Sequence, residues 1–210
     1  MPTARFASLD PAKRQRLFEV ALETFAQHGY HRASMNRILE RAGMSKGAFY
    51  YYFENKEDLF VTVIRELVHE LGEAVGGLAQ GKLEGNFWDS FRDLVVRSLQ
   101  YIETRPIWSQ IGRAWYELIR SGRQGSAVKQ FEEDMRRFTA RILRLGQYHG
   151  DVRADLPLSL LVEVTVGVAI AVDSWAVEQM DLLVESPTEW VDRIVDLFQR
   201  LLRPSAGGKP

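Results

Sequence analysis

The chain has 210 residues, with 27 lysines and arginines against 28 aspartates and glutamates, and it has no cysteine. The lack of cysteine excludes disulfides, thiolate metal sites and cysteine nucleophiles, and it fits a reducing compartment such as the cytoplasm. An apolar fraction of 46% is ordinary for a globular protein and argues against disorder along most of the chain. The first ten residues contain no apolar run, so we expect no signal peptide.

The first third of the sequence predicts four helices, each preceded by a residue whose side chain can cap a helix N-terminus. These capping residues are Asp10, Ser34, Ser45 and Asn55. Pro11 suits the first turn of the first helix, and Gly29 and Gly43 are natural helix ends. The predicted helices run from Pro11 to Gly29, from 35 to Gly43, from 46 to Phe53 and over about 56–72.

The rest of the sequence also predicts helices, after a glycine-rich stretch over 72–86 that we interpret as a joint. Apolar residues then recur in steps of three and four, which is typical of amphipathic helices. Ser186 to Glu189 form a capping box that opens the final helix, and we expect a disordered tail from about 205.

Residues 158–177 alternate between apolar and small or polar residues, which is typical of a strand, and they are nearly long enough to cross a membrane. Glu163, Thr165 and Asp173 argue against a membrane span, and a lone strand would have no partner. We therefore predict a long helix that must be covered on more than one side. The sequence thus predicts an all-α fold of about nine helices with no membrane segment.

The second and third predicted helices are separated by two residues, one of them Gly43, before the cap at Ser45. A short helix, a tight turn and a second short helix form a helix-turn-helix, whose second helix enters the major groove of DNA. We expect Ile38, Phe49 and Phe53 to pack this pair against the first helix, which leaves the start of the third helix exposed.

Lys46 and Lys56 each take the first position of a predicted helix, where a positive charge opposes the helix dipole. A bound phosphate would remove this conflict; alternatively, both lysines are merely solvated. Tyr50, Tyr51 and Tyr52 cannot all face one core, because each residue turns about 100° around a helix. At least one must point outward, where a phenol can contact a phosphate, although ordinary surface or core tyrosines are the alternative.

The formal charge of −1 argues by itself against a nucleic-acid partner, but the charge is unevenly distributed. Residues 1–57 carry nine basic and six acidic side chains, which gives +3 there and −4 over residues 58–210. This mild asymmetry has the sign expected for phosphate binding at the N-terminal end.

The stretch from Gly29 to Leu59 resembles the DNA-binding region of the TetR family of transcriptional regulators. The matching residues are Ser34, Met35, Ile38, then Ala42 through Tyr50, then Tyr52, Phe53, Lys56 and Leu59. The resemblance implies a homodimeric repressor with an N-terminal helix-turn-helix DNA-binding domain over residues 1–55. A larger C-terminal helical domain, residues 56–210, would bind an effector and dimerise, with the fourth helix connecting the two.

The resemblance also implies which residues contact double-stranded operator DNA. At the start of the recognition helix, bases or backbone would be approached by Lys46, Gly47 and Ala48. The residues that would hold phosphates are Ser34, Ser45, Tyr50, Tyr51 and Lys56. Two further residues on the second helix, Met35 and Arg37, would also contact the DNA. Independently of the resemblance, a glycine allows close backbone approach and an alanine can contact a thymine methyl group.

In the C-terminal part, aromatic residues and two polar anchors are candidates for an effector pocket. These residues are Trp88, Phe91, Trp108, Arg113, Trp115, Tyr116, Glu117 and Tyr148; the alternative is that the aromatics form core. The effector would be a partly apolar or aromatic small molecule, whose binding moves the fourth helix and changes the separation of the two recognition helices.

The last two helices, over 158–180 and 187–203, are the predicted dimer pair. The predicted interface residues are Val168, Val172, Trp175, Ile194 and Phe198, with an intramolecular core as the alternative.

The sequence predicts no cofactor, metal site or catalytic site. His28 and His31 lack a third ligand at metal spacing, and the Gly43–Gly47 turn matches neither a Walker loop nor a dinucleotide fingerprint. We therefore expect a cytoplasmic DNA-binding regulator rather than an enzyme. The alternatives are a helical small-molecule-binding protein that does not bind DNA, and a transcriptional activator.

Overall fold

A computed structural model of the chain describes residues 6, 8–83, 85–122, 124–179 and 187–204. Over these residues the chain forms nine α-helices and no strand, which confirms the predicted all-α fold. The helices are α1 (Pro11–Arg32), α2 (Met35–Ala42), α3 (Lys46–Tyr52), α4 (Lys56–Val75), α5 (Phe87–Glu103), α6 (Ile107–Arg120), α7 (Ser126–Tyr148), α8 (Leu158–Glu178) and α9 (Pro187–Leu202). A turn of 3-10 helix, Gly77–Gln80, lies within the predicted glycine-rich joint.

Polar side chains start the first four helices as predicted. The Asp10 carboxylate accepts a hydrogen bond from the backbone N–H of Lys13 at 3.1 Å, and the Asn55 side chain accepts one from Asp58 at 3.0 Å. Each cap satisfies a backbone donor that has no partner inside its helix. The predicted capping box at Ser186 and the predicted tail from about 205 lie outside the described residues.

The end of α1 differs from the prediction. Gly29 interrupts the helix with φ 71° and ψ 173°, a conformation essentially restricted to glycine, yet helical turns continue to Arg32. The break predicted at Gly29 is therefore confirmed, and the difference is the additional helical turn that continues to Arg32.

Residues Met1–His69 and Pro106–Glu132 form one compact unit of the chain. In this unit α2 and α6 both pack against α1. The core of the unit includes Leu17, Val20, Phe25, Ile38, Phe49, Phe53, Phe60, Ile111, Leu118 and Val128. The predicted boundary at residue 55 divides a DNA-binding domain from an effector-binding domain. This functional division stays a prediction.

Residues Glu70–Arg105 and Glu133–Pro210 form the second compact unit. Here α5 packs against α9, with the rings of Phe91 and Phe198 5.4 Å apart. The Nε atom of Arg92 also binds the Asp192 carboxylate at 2.9 Å. The core of this unit includes Leu78, Phe87, Trp88, Leu143, Val152, Leu161, Val162, Ile194, Phe198 and Leu202.

The long apolar segment is a helix, α8, as predicted, but the single chain covers only part of it. Leu161 and Val162 are buried, whereas Leu160, Val164 and Ile170 are exposed. Among the described helices, α8 alone has the length and composition to cross a membrane, and these properties by themselves are weak evidence for a span. An apolar face of this kind calls for a cover that the described residues do not supply.

Candidate DNA-binding site

The turn between α2 and α3 is closed by backbone hydrogen bonds. Gly43 adopts the left-handed conformation, with φ 65° and ψ 30°, directly after the last residue of α2. The N–H of Met44 then donates to the carbonyl of Leu39 at 2.9 Å. This is a helix C-cap of the kind that glycine favours, and it brings the two helices together as a helix-turn-helix.

Two serines fix the starts of these helices. The Ser34 hydroxyl accepts a hydrogen bond from the Arg37 N–H at 3.4 Å, and the Ser45 hydroxyl accepts one from the Ala48 N–H at 3.1 Å. A hydroxyl that accepts a hydrogen bond can still donate its own proton. Each serine can therefore cap its helix and donate to a phosphate at the same time.

One buried side chain sets the orientation of α3. Phe49 is 2% exposed, and its ring stacks on that of Phe53 at 5.3 Å. Tyr50 and Tyr51, which follow it, are 67% and 50% exposed. The prediction that at least one tyrosine points outward is confirmed, and the exposed side of the helix also carries Lys46 and Gly47.

Lys56 begins α4 and is held by the end of α1. Its Nζ donates to the carbonyl of His31 at 3.0 Å and lies 4.8 Å from the centre of the Tyr30 ring. Burial lowers the pKa of Lys56, and the negative charge of Glu117 opposes this change. An ammonium group has three donors, so a lysine anchored through one of them retains two for a phosphate.

The basic residues of α2 have different environments. Arg37 is exposed, and Met35 beside it on the helix is half-buried. Arg41 forms an ion pair with Glu23 of α1, and this hydrogen bond lowers the pKa of the glutamate. Arg41 therefore joins α2 to α1, and because the pair takes up one basic and one acidic side chain, the net surplus of +3 over residues 1–57 is unchanged.

The predicted effector residues divide between the two compact units. Those of the first unit all lie on α6: Trp108, Arg113, Trp115, Tyr116 and Glu117. The Trp115 ring packs against Phe131 at 5.2 Å and Phe60 at 6.5 Å. The Glu117 carboxylate instead lies against the backbone of Gly29 in α1.

The second unit contains Trp88, Phe91 and Tyr148. The Trp88 Nε1 donates to the carbonyl of Asp151 at 3.1 Å, and its ring packs edge-on against Phe91. Tyr148 is 85% exposed at the end of α7. A shallow cleft of about 320 Å³ is lined by Asn86, Trp88, Gly150, Asp151, Arg203 and Pro204. The effector role of the eight residues stays a prediction.

The predicted interface residues have different environments within the chain. Ile194 and Phe198 are buried in the core of the second unit, and Val168 and Val172 pack against that core. Trp175 is exposed and stacks on Trp190 at 4.9 Å. Their part in a dimer stays a prediction.

One buried polar residue was not anticipated from the sequence. The Glu57 carboxylate accepts hydrogen bonds from the N–H groups of Gly125 at 2.8 Å and Val128 at 3.2 Å, at the start of α7. These partners lie 68 and 71 residues along the chain, so no local pattern connects them with Glu57.

The comparisons with known proteins agree with this geometry. The family described as bacterial regulatory proteins, tetR family, matches residues 17–63. The probable acrEF/envCD operon repressor of Escherichia coli K12 is 28% identical over 88% of this chain and 86% of that protein. The fatty acid degradation regulator FadR from Bacillus halodurans superposes with a TM-score of 0.66 at 19% identity, over 93% of this chain and 99% of that chain.

A putative tetR family transcription regulator from Shewanella sp. PV-4 superposes with a TM-score of 0.65 at 22% identity, over 90% of this chain and 97% of that chain. The matched segment 17–63 covers the helix-turn-helix and its flanking helices. Over its helix-turn-helix the chain is therefore similar to bacterial regulatory proteins of the tetR family, and it is a DNA-binding transcriptional regulator.

Proposed function

We propose that this protein is a cytoplasmic repressor that binds operator DNA as a homodimer and releases it when a small molecule binds. The exposed side of α3 carries the proposal, because Phe49 fixes that helix from the opposite side. A recognition helix needs this combination of an anchored inner face and an outer face able to enter the major groove. We propose no catalytic activity and no cofactor.

The contacts that we propose fall into two classes. Lys46, Gly47 and Ala48 meet base edges or nearby backbone at the start of α3, with Met35 and Arg37 of α2 beside the same groove. Phosphates are held by the hydroxyl and ammonium groups of Ser34, Ser45, Tyr50, Tyr51 and Lys56.

The exposed face of α8 supports a homodimer. Leu160, Val164, Ile170 and Trp175 are all exposed on this helix. The same face of a second copy can cover this one in a two-fold symmetric dimer. Such a dimer has two DNA-binding segments, one for each half-site of an operator. Of the five interface residues predicted from sequence, Trp175 is then a direct contact, and Ile194 and Phe198 support the interface from within the core.

The proposed effector is a partly apolar or aromatic small molecule, with the eight predicted residues as candidates for its contacts. Its binding favours an arrangement in which the two recognition helices no longer match the half-site spacing. A helical small-molecule-binding protein that does not bind DNA is the rival function, and the exposed tyrosines and Lys46 on one side of α3 favour the DNA-binding form.

The DNA contacts are tested by selecting binding sites from random duplexes and titrating the selected duplex by fluorescence anisotropy at several salt concentrations. Lys46→Ala should weaken binding, and a reduction of about 0.9 in the slope of log K against log salt would place its ammonium group on a backbone phosphate rather than on a base edge. Lys129→Ala, an exposed lysine on α7, is the matched control and should leave both quantities unchanged. Failure of the unaltered chain to select any duplex would favour the rival function.

The dimer is tested by light scattering of the purified chain. Ile170→Glu places a charge on the exposed face of α8 and should convert a dimer into a monomer that binds the selected duplex weakly. Tyr148→Glu introduces the same charge at an even more exposed large side chain at the end of α7 and should leave the dimer intact. A monomeric wild-type chain, or a dimer that tolerates Ile170→Glu, contradicts the proposed interface.

A further inference from the structure

The first two residues of α4 bind two different neighbouring elements. Lys56 donates from Nζ to the carbonyl of His31 at the end of α1. Glu57 accepts hydrogen bonds from the Gly125 and Val128 N–H groups at the start of α7. A single dipeptide therefore ties the end of α1 to the first turn of α7.

Tyr30 lies between these two attachments. Lys56 Nζ is 4.8 Å from the centre of its ring, and the ring packs against Phe60 of α4 at 5.2 Å. Burial raises the pKa of Tyr30 to about 12, with a further contribution from the negative charge of Glu57. Tyr30 thus packs on Lys56 and on Phe60 of α4, close enough to Glu57 to be affected by its charge.

The attachment to α7 leaves little space for movement. Glu57 is 8% exposed, and a Cβ built on Gly125 would lie 2.7 Å from Oε1 and 2.9 Å from Oε2 of its carboxylate. The carboxylate also lies at the N-terminal end of a 23-residue helix, where negative charge is favoured by the helix dipole. A displacement of the first turn of α7 must therefore move the carboxylate or break its hydrogen bonds.

We propose that Glu57 is a positioning residue, which fastens the first turn of α7 to the start of α4 and thereby sets how Lys56 is presented to DNA. A shift at the start of α7 is passed through Glu57 to the adjacent Lys56. The inference rests on the proposed function for the phosphate contact of Lys56, but the link between α7 and α1 is a property of the free protein. The two parts are therefore tested separately.

The link is tested without DNA by hydrogen–deuterium exchange of the full chain. Glu57→Gln keeps one acceptor oxygen and replaces the other with an amide NH₂, which cannot accept from a backbone N–H. Exchange should accelerate over the peptides covering 124–130 and also over those covering 28–33. Glu66→Gln makes the same charge change at an exposed position of α4 and should leave both segments unchanged. Acceleration at 124–130 alone would overturn the link.

The presentation of Lys56 is tested with the selected duplex, well below the melting temperature. Lys56→Ala should lower the salt slope by about 0.9. Glu57→Gln should weaken binding several-fold and reduce the slope in the same direction, and the double variant should add little to Lys56→Ala, since the two residues act through one contact. An additive double variant, or a normal slope in Glu57→Gln, would assign Glu57 a purely structural role.

Gly125→Ala gives a second test that leaves the charge of Glu57 unaltered. The added methyl group has no space beside the carboxylate, so this variant should reproduce the exchange and salt-slope changes of Glu57→Gln. Gly72→Ala in α4, where a Cβ meets no neighbour, is the control and should bind DNA normally. If Lys56→Ala leaves the salt slope unchanged, the proposed phosphate contact is wrong, and the exchange result alone decides whether the link exists.

Discussion

The carboxylate of Glu117 on α6 lies against the kink of α1, with Oε2 2.7 Å from the position that a Cβ on Gly29 would occupy. The close approach of a side chain and the unusual backbone conformation fall on the same residue. Because α6 packs along α1 within one compact unit, this contact fixes where the two helices meet.

Gly29→Ala should therefore lower the free energy of unfolding by about 1–3 kcal/mol, the cost of a non-glycine residue in this backbone region, with steric strain in addition. Equilibrium urea denaturation measures the loss. Adding Glu117→Ala should recover the steric part but not the backbone part. Gly72→Ala, at a helical position with open space, should stabilise the chain slightly. Equal stabilities of the two glycine variants would contradict this account of the kink.

At Ser45, the helix cap and the proposed DNA contact can be tested separately. Ser45→Ala should cost about 1 kcal/mol of stability, because the hydrogen bond to the Ala48 N–H is lost, and it should also weaken DNA binding. Ser45→Asp keeps a good cap, so its stability should stay close to that of the wild type. DNA binding should nevertheless fall, since the new negative charge faces phosphates. Stability is measured by denaturation and DNA binding by anisotropy, on the same variants. Normal DNA binding by Ser45→Asp would contradict the proposed phosphate contact.

Phe49 and Tyr50 are adjacent on α3 but should respond oppositely to truncation. Phe49→Ala removes a buried ring and should cost about 3–5 kcal/mol of stability. Tyr50→Ala removes an exposed ring and should change stability by less than about 0.5 kcal/mol while weakening DNA binding. Tyr50→Phe isolates the phenolic hydroxyl, and normal binding by that variant would exclude its hydrogen bond to phosphate.

Asp173 predicts a pH-dependent stability. Its side chain is exposed on α8, but desolvation by the surrounding protein raises its pKa from 3.8 to about 6, and contact with water keeps the resulting change in stability small. Between these values the unfolded chain releases the proton while the folded chain retains it, so rising pH disfavours folding. Asp173→Asn should therefore be similar to the wild type in stability near pH 4 and more stable than it above pH 6. A stability difference that does not change over this range would contradict the raised pKa.

The sequence predicted the starts of the first four helices because those signals are local. Each of the caps at Asp10, Ser34, Ser45 and Asn55 bonds a backbone group three residues further on. The inward direction of Phe49 likewise followed from the spacing of apolar residues in a short helix.

Contacts between distant parts of the chain could not be predicted from local sequence signals. Glu57 and Gly125 lie 68 residues apart, and from the sequence a glutamate in the first turn of a helix is already explained by the helix dipole. An apolar stripe also does not specify which surface covers it, which is why Ile194 and Phe198 were predicted at an interface but pack in the core of their own unit. Their part in a dimer depends on the partner and stays a prediction.

Because only a small part of α3 is buried, most of this helix is free to change in sequence during evolution. Phe49 is the buried residue of a seven-residue helix whose start is fixed by the Ser45 cap. Substitutions at Lys46, Gly47 or Tyr50 should therefore alter the proposed DNA-contact surface with little loss of folding stability. Duplicated genes can acquire new operator preferences one residue at a time, without passing through an unstable intermediate protein.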